Sequence, residues 1–552
     1  MCGFAGRFLH RRADPGAAER ALAVLKRRGP DGQRIWRSED GRVELVHARL
    51  AIVDSDPQAL QPFVSADGAR VLAFNGEIYN YAALRTRYRE RDWRTRSDTE
   101  VLEAGWQREG ASVFDHARGM YAGALWDRDS HALILFRDPV GKKPLFLGRS
   151  ETAIAFGSSV LAVRELLESH RSAVDPRGVE DLFAQGFVEP PRSLVPGIEQ
   201  IEPGSLIRIA LSDGSMTRAA ITTAPVEFDP TLSFAEHAQE VGRRLRAATE
   251  LRLENNPRPA VLLSGGIDST VVTRSALEIC RERGLQLKAY SLKPLLPGTQ
   301  DGPYAAAAAK RLGIDLQWVR PPLRRLGERV LAALDDLDEP LAMPSYFALH
   351  SLVAEVRQHA RVLLSGDGGD EAFLGYGTPQ DWLIKPDAKP PGVRCGPPLP
   401  EWMGGWARRT VSATMLGHMH AKADRASAEQ GVELRSPLLD SALLAYARAL
   451  PHEMLTHGGI SKALLKAQLS DWPTAFLERP KLGFAFNLRW LWALSNFAGL
   501  REGINAEAHA LAEPWLPTAL RAPPAHWRSA TLLQHFSPAW TLLSLSRFVA
   551  KR

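Results

Sequence analysis

The sequence of 552 residues predicts two domains, the first made of packed antiparallel sheets and the second of a parallel sheet flanked by helices. Up to about residue 210, short β-branched and aromatic runs end in turn residues, which is typical of antiparallel strands. From residue 233 onward, apolar strands alternate with amphipathic helices, which is typical of a parallel α/β domain. A chain of this length also exceeds one ordinary hydrophobic core, so more than one domain is expected.

The first domain, residues 1–210, contains the strand candidates RVELVHARLAIVD, RVLAFNGEIYN, HALILFRD and AIAFGSS. The polar, irregular residues 211–232 predict a linker between the domains. Ser233 and Glu236 stand three positions apart, as a capping box requires. They predict the helix that opens the second domain, residues 233–552.

The letters VLLSG occur twice in the second domain, from Val261 to Gly265 and from Val362 to Gly366. Each copy reads as a buried strand that leads into a glycine-rich, acidic loop, SGGIDS in the first case and SGDGGDE in the second. In a parallel sheet both loops would emerge at the carboxyl edge, where ligands bind. The repeat therefore predicts one site built from two loops.

The first of these loops, SGGIDST from Ser264 to Thr270, has the composition of a phosphate-binding turn. Two glycines let backbone amides approach an anion, and the following helix directs its positive end there. The spacing differs from that of the P-loop NTPases and lacks their lysine, which argues against ordinary γ-phosphoryl transfer. Asp268 and Asp370, one from each loop, are candidates to hold Mg²⁺ against pyrophosphate oxygens.

Composition excludes several other classes of protein. The net charge of +6 and the isoelectric point near 9.2 are mild for this length, so no nucleic-acid partner is expected. Apolar runs long enough for a membrane span and a secretory signal are both absent from the sequence, which favours a cytoplasmic protein without a membrane partner. The 3 cysteines are an odd number at unrelated spacings, so neither a disulfide framework nor a zinc site is expected.

Four motifs together resemble the glutamine-dependent asparagine synthetases: SGGIDS, SGDGGDEAFLGY, KADRASAEQGVELRSPLLD and RPKLGFAFN. The resemblance runs from residue 2 to about residue 490. It implies that the first domain is an α+β sandwich of the N-terminal-nucleophile (Ntn) type with αββα layers. The second domain is then an α/β pyrophosphate-loop fold that uses ATP and Mg²⁺.

The resemblance also answers why a cysteine follows the initiator methionine. Removal of Met1 would make Cys2 the first residue, and its free α-amine, with a pKa near 8, would serve as the base that activates its own thiol. Cys2 is then the glutaminase nucleophile, with Asn75 and the amide of Gly76 as the oxyanion hole. The family match assigns glutamine binding to Arg49, Asn75, Glu77 and Asp98.

In the second domain, the match places Asp367 and Lys462 near the reacting carboxylate and phosphate, as catalytic residues. The metal ligands are Asp268 and Asp370. The match assigns ATP binding to Leu262, Ser264, Gly265, Gly266, Asp268, Ser269, Leu292, Ser365 and Gly366. The motifs RGPDG at 28–32 and RDPVGKKPLF at 137–146 are interpreted mainly as structural turns.

The implied reaction has two steps in two sites: glutamine gives ammonia, and ammonia displaces AMP from an adenylylated carboxylate. By resemblance the acceptor is the side chain of aspartate, and a sheltered path between the sites is expected. Three departures leave the acceptor open: Ala428 where the family commonly has methionine, Lys466 where it has arginine, and the proline-rich residues 385–400.

Two alternatives to asparagine synthesis follow. One is an amidotransferase with the same chemistry that amidates another carboxylate in a natural-product or cell-surface pathway. The other is a non-catalytic protein that retains the fold, which the intact loops SGGIDS and SGDGGDE disfavour. The oligomeric state stays open, with a homodimer as one candidate.

Overall fold

The computed structural model describes residues 1–11, 14–168, 174–221, 223–293, 301–320, 326–377, 383, 401–405, 407–408, 411, 419–479 and 538–550. The proline-rich residues 385–400 lie outside the described residues, as does the RPKLGFAFN motif after its first residue.

The first antiparallel sheet holds the amino terminus in its middle. Its strands are β1 (Gly3–Leu9), β2 (Gly32–Arg37), β3 (Val43–Arg49), β8 (Phe146–Arg149), β9 (Ala153–Gly157) and β10 (Ile198–Gln200). They are arranged in the order β10-β8-β9-β1-β3-β2. Strand β1 pairs with β3, with Gly3 opposite Ala48, and with β9, with Ala5 opposite Gly157. Cys2 is therefore anchored directly before a central strand.

The second antiparallel sheet lies against the first. Its strands are β4 (Phe63–Val64), β5 (Arg70–Ile78), β6 (Gly119–Asp127), β7 (Ala132–Arg137), β11 (Ser205–Ala210) and β12 (Met216–Ala220). They are arranged in the order β12-β11-β7-β6-β5-β4. Strand β5 is long because it pairs with β6 along its whole length, from Arg70 opposite Asp127 to Ile78 opposite Gly119. This register carries residues 75–77 to the end of the sheet.

Helices cover the outer faces of both sheets. The first sheet is covered by α1 (Ala17–Leu25), α5 (Val160–Leu167) and α6 (Pro176–Gln185), and the second by α2 (Tyr81–Arg87), α3 (Asp98–Glu109) and α4 (Val113–His116). The core between the sheets is formed by apolar side chains from both, including Phe4, Leu45, Val71 and Leu133. Because both faces are covered, β1 and β3 are buried almost throughout instead of in alternation. The predicted αββα sandwich is confirmed.

The second half contains a five-stranded parallel sheet. Its strands are β13 (Ala260–Leu262), β14 (Lys288–Leu292), β15 (Leu316–Val319), β16 (Val362–Leu364) and β17 (Glu433–Arg435), in the order β15-β14-β13-β16-β17. Strands β13 and β16 are direct neighbours, with Val261 opposite Leu364. The two VLLSG strands therefore lie side by side, and the predicted parallel sheet is confirmed.

The first helix of this half, α7 (Phe234–Leu253), begins at the capping box of Ser233 and Glu236, as predicted. No helix among the described residues is long and apolar enough to cross a membrane. The described helices here are α7 (Phe234–Leu253), α8 (Ile267–Glu282), α9 (Asp301–Leu312), α10 (Leu326–Asp335), α11 (Ser345–Val356), α12 (Gly369–Ala372), α13 (Ala421–Ala428), α14 (Ser441–Ala449), α15 (His452–Leu455), α16 (Ala463–Ala467), α17 (Thr474–Leu477) and α18 (Pro538–Ala550). Short 3-10 helices lie at Pro57–Ala59, Gly110–Ser112, Pro437–Leu439 and His457–Gly459.

The sheet of the first half extends into the segment interpreted as a linker. Strand β12 lies within residues 211–232 and pairs with β11, with Ser205 opposite Ala220. The boundaries at 210 and 233 stay predictions of the sequence.

Candidate active sites

Cys2 lies partly buried at the start of β1, with its thiol against the end of β3. The Sγ atom accepts a hydrogen bond from the amide of Leu50 at 3.4 Å and lies 3.8 Å from the Leu50 carbonyl oxygen. Burial raises the pKa of the thiol, while the Leu50 amide and the charge of Arg49 act in the opposite direction. Burial also lowers the pKa of the Met1 amine to about 5.

Asn75 contacts Cys2 directly, and Gly76 follows Asn75 on β5. With the Asn75 amide oriented to satisfy both of its ends, Nδ2 donates to the Cys2 carbonyl at 2.9 Å and Oδ1 accepts from Arg28 at 3.3 Å. Gly76 has φ 153°, and a Cβ at this position would lie 2.0 Å from the Met120 carbonyl oxygen. Only glycine fits this close approach of β5 to β6.

The side chains of Arg49 and Asp98 are both held by hydrogen bonds to the backbone. Arg49 donates to the Asp56 carbonyl at 2.9 Å and also to the carbonyl of Asp54. Asp98, in the first turn of α3, accepts from the Ile78 amide at 2.9 Å. Burial raises the pKa of Asp98 to about 6. This carboxylate lacks a cationic side chain as a hydrogen-bond partner among the described residues, which suits it to a substrate ammonium.

Glu77 faces the second half of the molecule. Its carboxylate forms a buried ion pair with Arg435 at the end of β17, and Arg435 also binds Glu433 at 2.8 Å. Burial holds the pKa of Glu77 well above its ordinary value. The residue next to Gly76 is thus linked directly to the parallel sheet.

The loop between β13 and α8 is held together by hydrogen bonds of two serine hydroxyl groups. Ser264 Oγ accepts from the Gly266 amide at 3.3 Å and lies 3.0 Å from Ser269 Oγ. Gly265 has φ +77°, and a Cβ there would lie 2.3 Å from the Ala305 nitrogen of α9. The loop therefore packs backbone against backbone on α9 and ends at the amino terminus of α8, a position that favours an anion.

The second glycine-rich loop touches the first. A Cβ on Gly366 would lie 2.5 Å from the Ser269 nitrogen, and a Cβ on Gly369 would lie 2.4 Å from the Asp268 carboxylate. The predicted meeting of the two VLLSG loops at one sheet edge is therefore confirmed. The apolar candidates Leu262 and Leu292 lie half-buried at the ends of the neighbouring strands β13 and β14.

Lys462 joins the two predicted metal ligands. Its Nζ lies 2.6 Å from Asp268 Oδ2 and 2.6 Å from Asp370 Oδ1. Burial alone would lower the pKa of Lys462, but the two carboxylates outweigh it and raise the pKa. A Cβ on Gly375 would lie 2.1 Å from Lys462 Cε, so glycine at this position leaves room for the lysine side chain as it stands.

The two carboxylates are suited to Mg²⁺ because they converge on one cation, and oxygen is the ligand that this ion prefers. Groups of three or more metal-ligating side chains are absent from the described part of the chain. Sites that use one or two carboxylates and complete the shell with phosphate oxygens and water are common for Mg²⁺.

Asp367 receives contacts from both halves. Ser365 Oγ donates to Asp367 at 2.9 Å and lies 3.0 Å from Ser436 Oγ. Lys142, from the first half, donates to Ser436 at 3.0 Å and lies 3.9 Å from the Asp367 carboxylate. Sequence reasoning missed Lys142 and Arg435; Lys142 lies in a motif interpreted as a structural turn.

A polar cavity lies between the two halves. Its lining includes Arg28 and Lys142 from the first half and His420 and Asp424 from the second. Arg28 donates a hydrogen bond to the Cys2 carbonyl at 3.3 Å in the first half and another to the Asp424 carboxylate at 2.8 Å in the second half. Burial holds the pKa of His420 well below its ordinary value, so this imidazole is neutral.

The fold and these sites define a class of enzyme. A cysteine held beside an asparagine and a glycine in an αββα sandwich is joined to a parallel sheet with a phosphate-type loop and paired carboxylates. This is the architecture of a glutamine amidotransferase fused to a nucleotide-dependent synthetase.

Comparison with protein families gives the particular family. Residues 1–219 match the glutamine amidotransferase domain, and residues 240–403 and 403–549 match asparagine synthase. The second match spans more than half of the chain, so the chain belongs to the asparagine synthase family, whose members are ATP-dependent ligases that hydrolyse glutamine.

Curated relatives match over most of their length. A glutamine-hydrolyzing asparagine synthetase of Bacillus subtilis (strain 168) is 27% identical, over 89% of this chain and 88% of the relative. Asparagine synthetase B of Escherichia coli (strain K12), also glutamine-hydrolyzing, is 27% identical over 85% of this chain and 78% of the relative.

Proposed function

We propose that this protein makes asparagine from aspartate, with glutamine as the nitrogen donor and ATP as the source of activation. Glutamine, aspartate, ATP and water give glutamate, asparagine, AMP and pyrophosphate. One observation carries the proposal: a chain with Cys2 beside Asn75 also holds Asp268 and Asp370 within 2.6 Å of a single ammonium group. Family membership supports both half-reactions.

The glutaminase step starts after Met1 is removed, when the Cys2 nitrogen becomes an amine. The freed α-amine then takes the thiol proton, so that no separate basic side chain is needed to form the thiolate. The thiolate attacks the carboxamide of glutamine, and the oxyanion is stabilised by Asn75 and the Gly76 amide. Ammonia leaves, and water then hydrolyses the thioester to glutamate.

Glutamine is oriented by charges at both of its ends. The guanidinium of Arg49 pairs with the α-carboxylate, since its planar donors suit bidentate contacts. Asp98 pairs with the α-ammonium. Glu77 lies next to Gly76 but is paired with Arg435. We propose that this ion pair holds the glutamine-binding residues in position and links them to the second half of the molecule.

The synthetase step uses the two loops. The amides and hydroxyls of Ser264, Gly265, Gly266, Ser269, Ser365 and Gly366 surround the phosphates, and Leu262 and Leu292 flank the nucleotide. Asp268 and Asp370 would hold Mg²⁺, which supplies positive charge against the departing pyrophosphate. Lys462 then turns from the carboxylates to the phosphates, and Asp367 lies beside the reacting carboxylate.

Ammonia has to reach the second site before water protonates it. We propose that ammonia crosses at the interdomain cavity, whose lining includes Arg28, which donates to the Cys2 carbonyl, and Lys142, which lies 3.9 Å from the Asp367 carboxylate. We also propose that the enzyme is cytoplasmic and that it acts as a homodimer. Light scattering on the purified protein tests the homodimer.

The deciding experiment identifies the products by mass spectrometry. The enzyme is incubated with ATP, Mg²⁺, aspartate and glutamine labelled in the amide nitrogen. Labelled asparagine and equal amounts of AMP and glutamate are expected. An enzyme that hydrolyses glutamine but releases no pyrophosphate with aspartate would contradict the proposed acceptor and favour a different carboxylate.

A further inference from the structure

Arg479 is a buried cation beside the pyrophosphate-type loop, and one of its terminal nitrogens is without a hydrogen-bond partner among the described residues. Only 6% of its side chain is exposed, and Nη1 lacks a hydrogen-bond partner among the described residues. The nearest carboxylate oxygen, Asp301 Oδ1, is 3.9 Å from Nη2, which is too far for a hydrogen bond. A buried guanidinium with an unpartnered N–H donor is costly, so its retention calls for a ligand.

The guanidinium faces the loop that begins α8. A Cβ built on Gly266 would lie 3.4 Å from Arg479 Nη2, so the arginine borders the loop at its last residue before α8. Gly266 is the N-cap of α8, where the helix dipole also favours an anion. Burial lowers the pKa of Arg479, and the charge of Asp301 acts in the opposite direction without outweighing it.

The ring of Tyr304 fixes the position of Arg479. The guanidinium carbon lies 4.3 Å from the centroid of that ring, a cation–π distance. Tyr304 is in the first turn of α9, and a Cβ on Gly265 would lie 2.4 Å from the Tyr304 carbonyl carbon. The loop and the platform under the arginine therefore form one packed unit.

Arg479 and Lys462 differ in how closely carboxylates pair with them. The lysine is already paired with Asp268 and Asp370 at 2.6 Å, whereas Arg479 has no carboxylate within hydrogen-bonding distance among the described residues. The phosphates of ATP carry more negative charge than one divalent cation neutralises. We infer that Arg479 is a phosphate-binding residue that contacts the phosphates released as pyrophosphate, through paired N–H donors.

This inference rests on the proposed function, and binding of inorganic pyrophosphate tests it without an acceptor. Calorimetry with Mg²⁺ and pyrophosphate is expected to show binding about tenfold to a hundredfold weaker in Arg479→Ala, with a smaller loss in Arg479→Lys. Adenosine binding and glutaminase activity are expected to stay unchanged. Arg311→Ala is the matched control, because Arg311 also stacks on a ring, that of Trp472, but is 42% exposed.

Tyr304 provides a second arm of the test. Tyr304→Leu removes the platform and is expected to weaken pyrophosphate binding, whereas Tyr304→Phe keeps the ring and restores it. If Arg479→Ala fails to fold, judged by loss of glutaminase activity, Arg479→Lys and the Tyr304 pair decide instead. Wild-type affinity for pyrophosphate in the Arg479 variants would overturn the inference. A wild-type enzyme that binds neither ATP nor pyrophosphate would instead overturn the proposed function.

Discussion

The buried charge cluster between the halves permits a quantitative comparison of two substitutions. Arg435 is paired with Glu77 and, at 2.8 Å, with Glu433, and all three side chains are at least 95% buried. Glu77→Gln leaves a neutral Arg435–Glu433 pair, so a loss of about 1–2 kcal/mol in the free energy of unfolding is expected. Arg435→Met leaves two carboxylates facing each other without a cation, so about 3–5 kcal/mol is expected.

The pH dependence of the Arg435→Met defect follows from the same contacts. Without the guanidinium, the pKa values of both glutamates rise in the folded state, so that state holds more protons than the unfolded chain at neutral pH. Stability that is present at low pH is then lost as pH rises, and the defect grows between about pH 5 and about pH 8.

Urea denaturation of wild type and both variants at several pH values measures these effects. The transition is followed by fluorescence, and the midpoints are compared at constant slope. Equal losses in Glu77→Gln and Arg435→Met, or a defect in Arg435→Met that shrinks as pH rises, would refute the assignment of a cation shared by two carboxylates.

Three further predictions concern activity. Asp268→Asn and Asp370→Asn are each expected to abolish pyrophosphate release while glutaminase activity persists, and adenylylation near the wild-type rate in either would refute the metal assignment. Lys142→Met is expected to slow ammonium-dependent synthesis about tenfold, because its buried charge-assisted hydrogen bond to Ser436 and its charge beside Asp367 are lost; an unchanged rate would remove Lys142 from the site. Asp98 has a pKa of about 6 because of burial, so its charge is lost as pH falls below that value and the KM for glutamine should rise about tenfold per pH unit there. A KM that is flat down to about pH 5 would contradict this role.

The sequence predicts those features that depend on local pattern. The capping box at Ser233 fixes the start of α7, and the repeated VLLSG letters predict that two loops emerge at the same edge of a parallel sheet. The structure adds that the two strands are direct neighbours. The same pattern locates Asp268 and Asp370 at one edge of the sheet.

Contacts between the halves were not predictable in this way. Glu77 and Arg435 are separated by 358 positions, and no periodicity near either residue indicates the other. Lys142 lies in a motif that reads as a turn, yet packing of the halves brings it to Ser436. Arg479 follows the short helix α17, and its cation–π contact with the ring of Tyr304 is visible only in the folded structure.

The two-site account is tested most directly by Cys2→Ala. Asparagine formation is measured with labelled glutamine and, separately, with ammonium as the nitrogen source. The account predicts that the glutamine-dependent product disappears and that ammonium-dependent synthesis continues at nearly the wild-type rate, because only the thioester step needs the thiol. Equal loss with both nitrogen sources would contradict it.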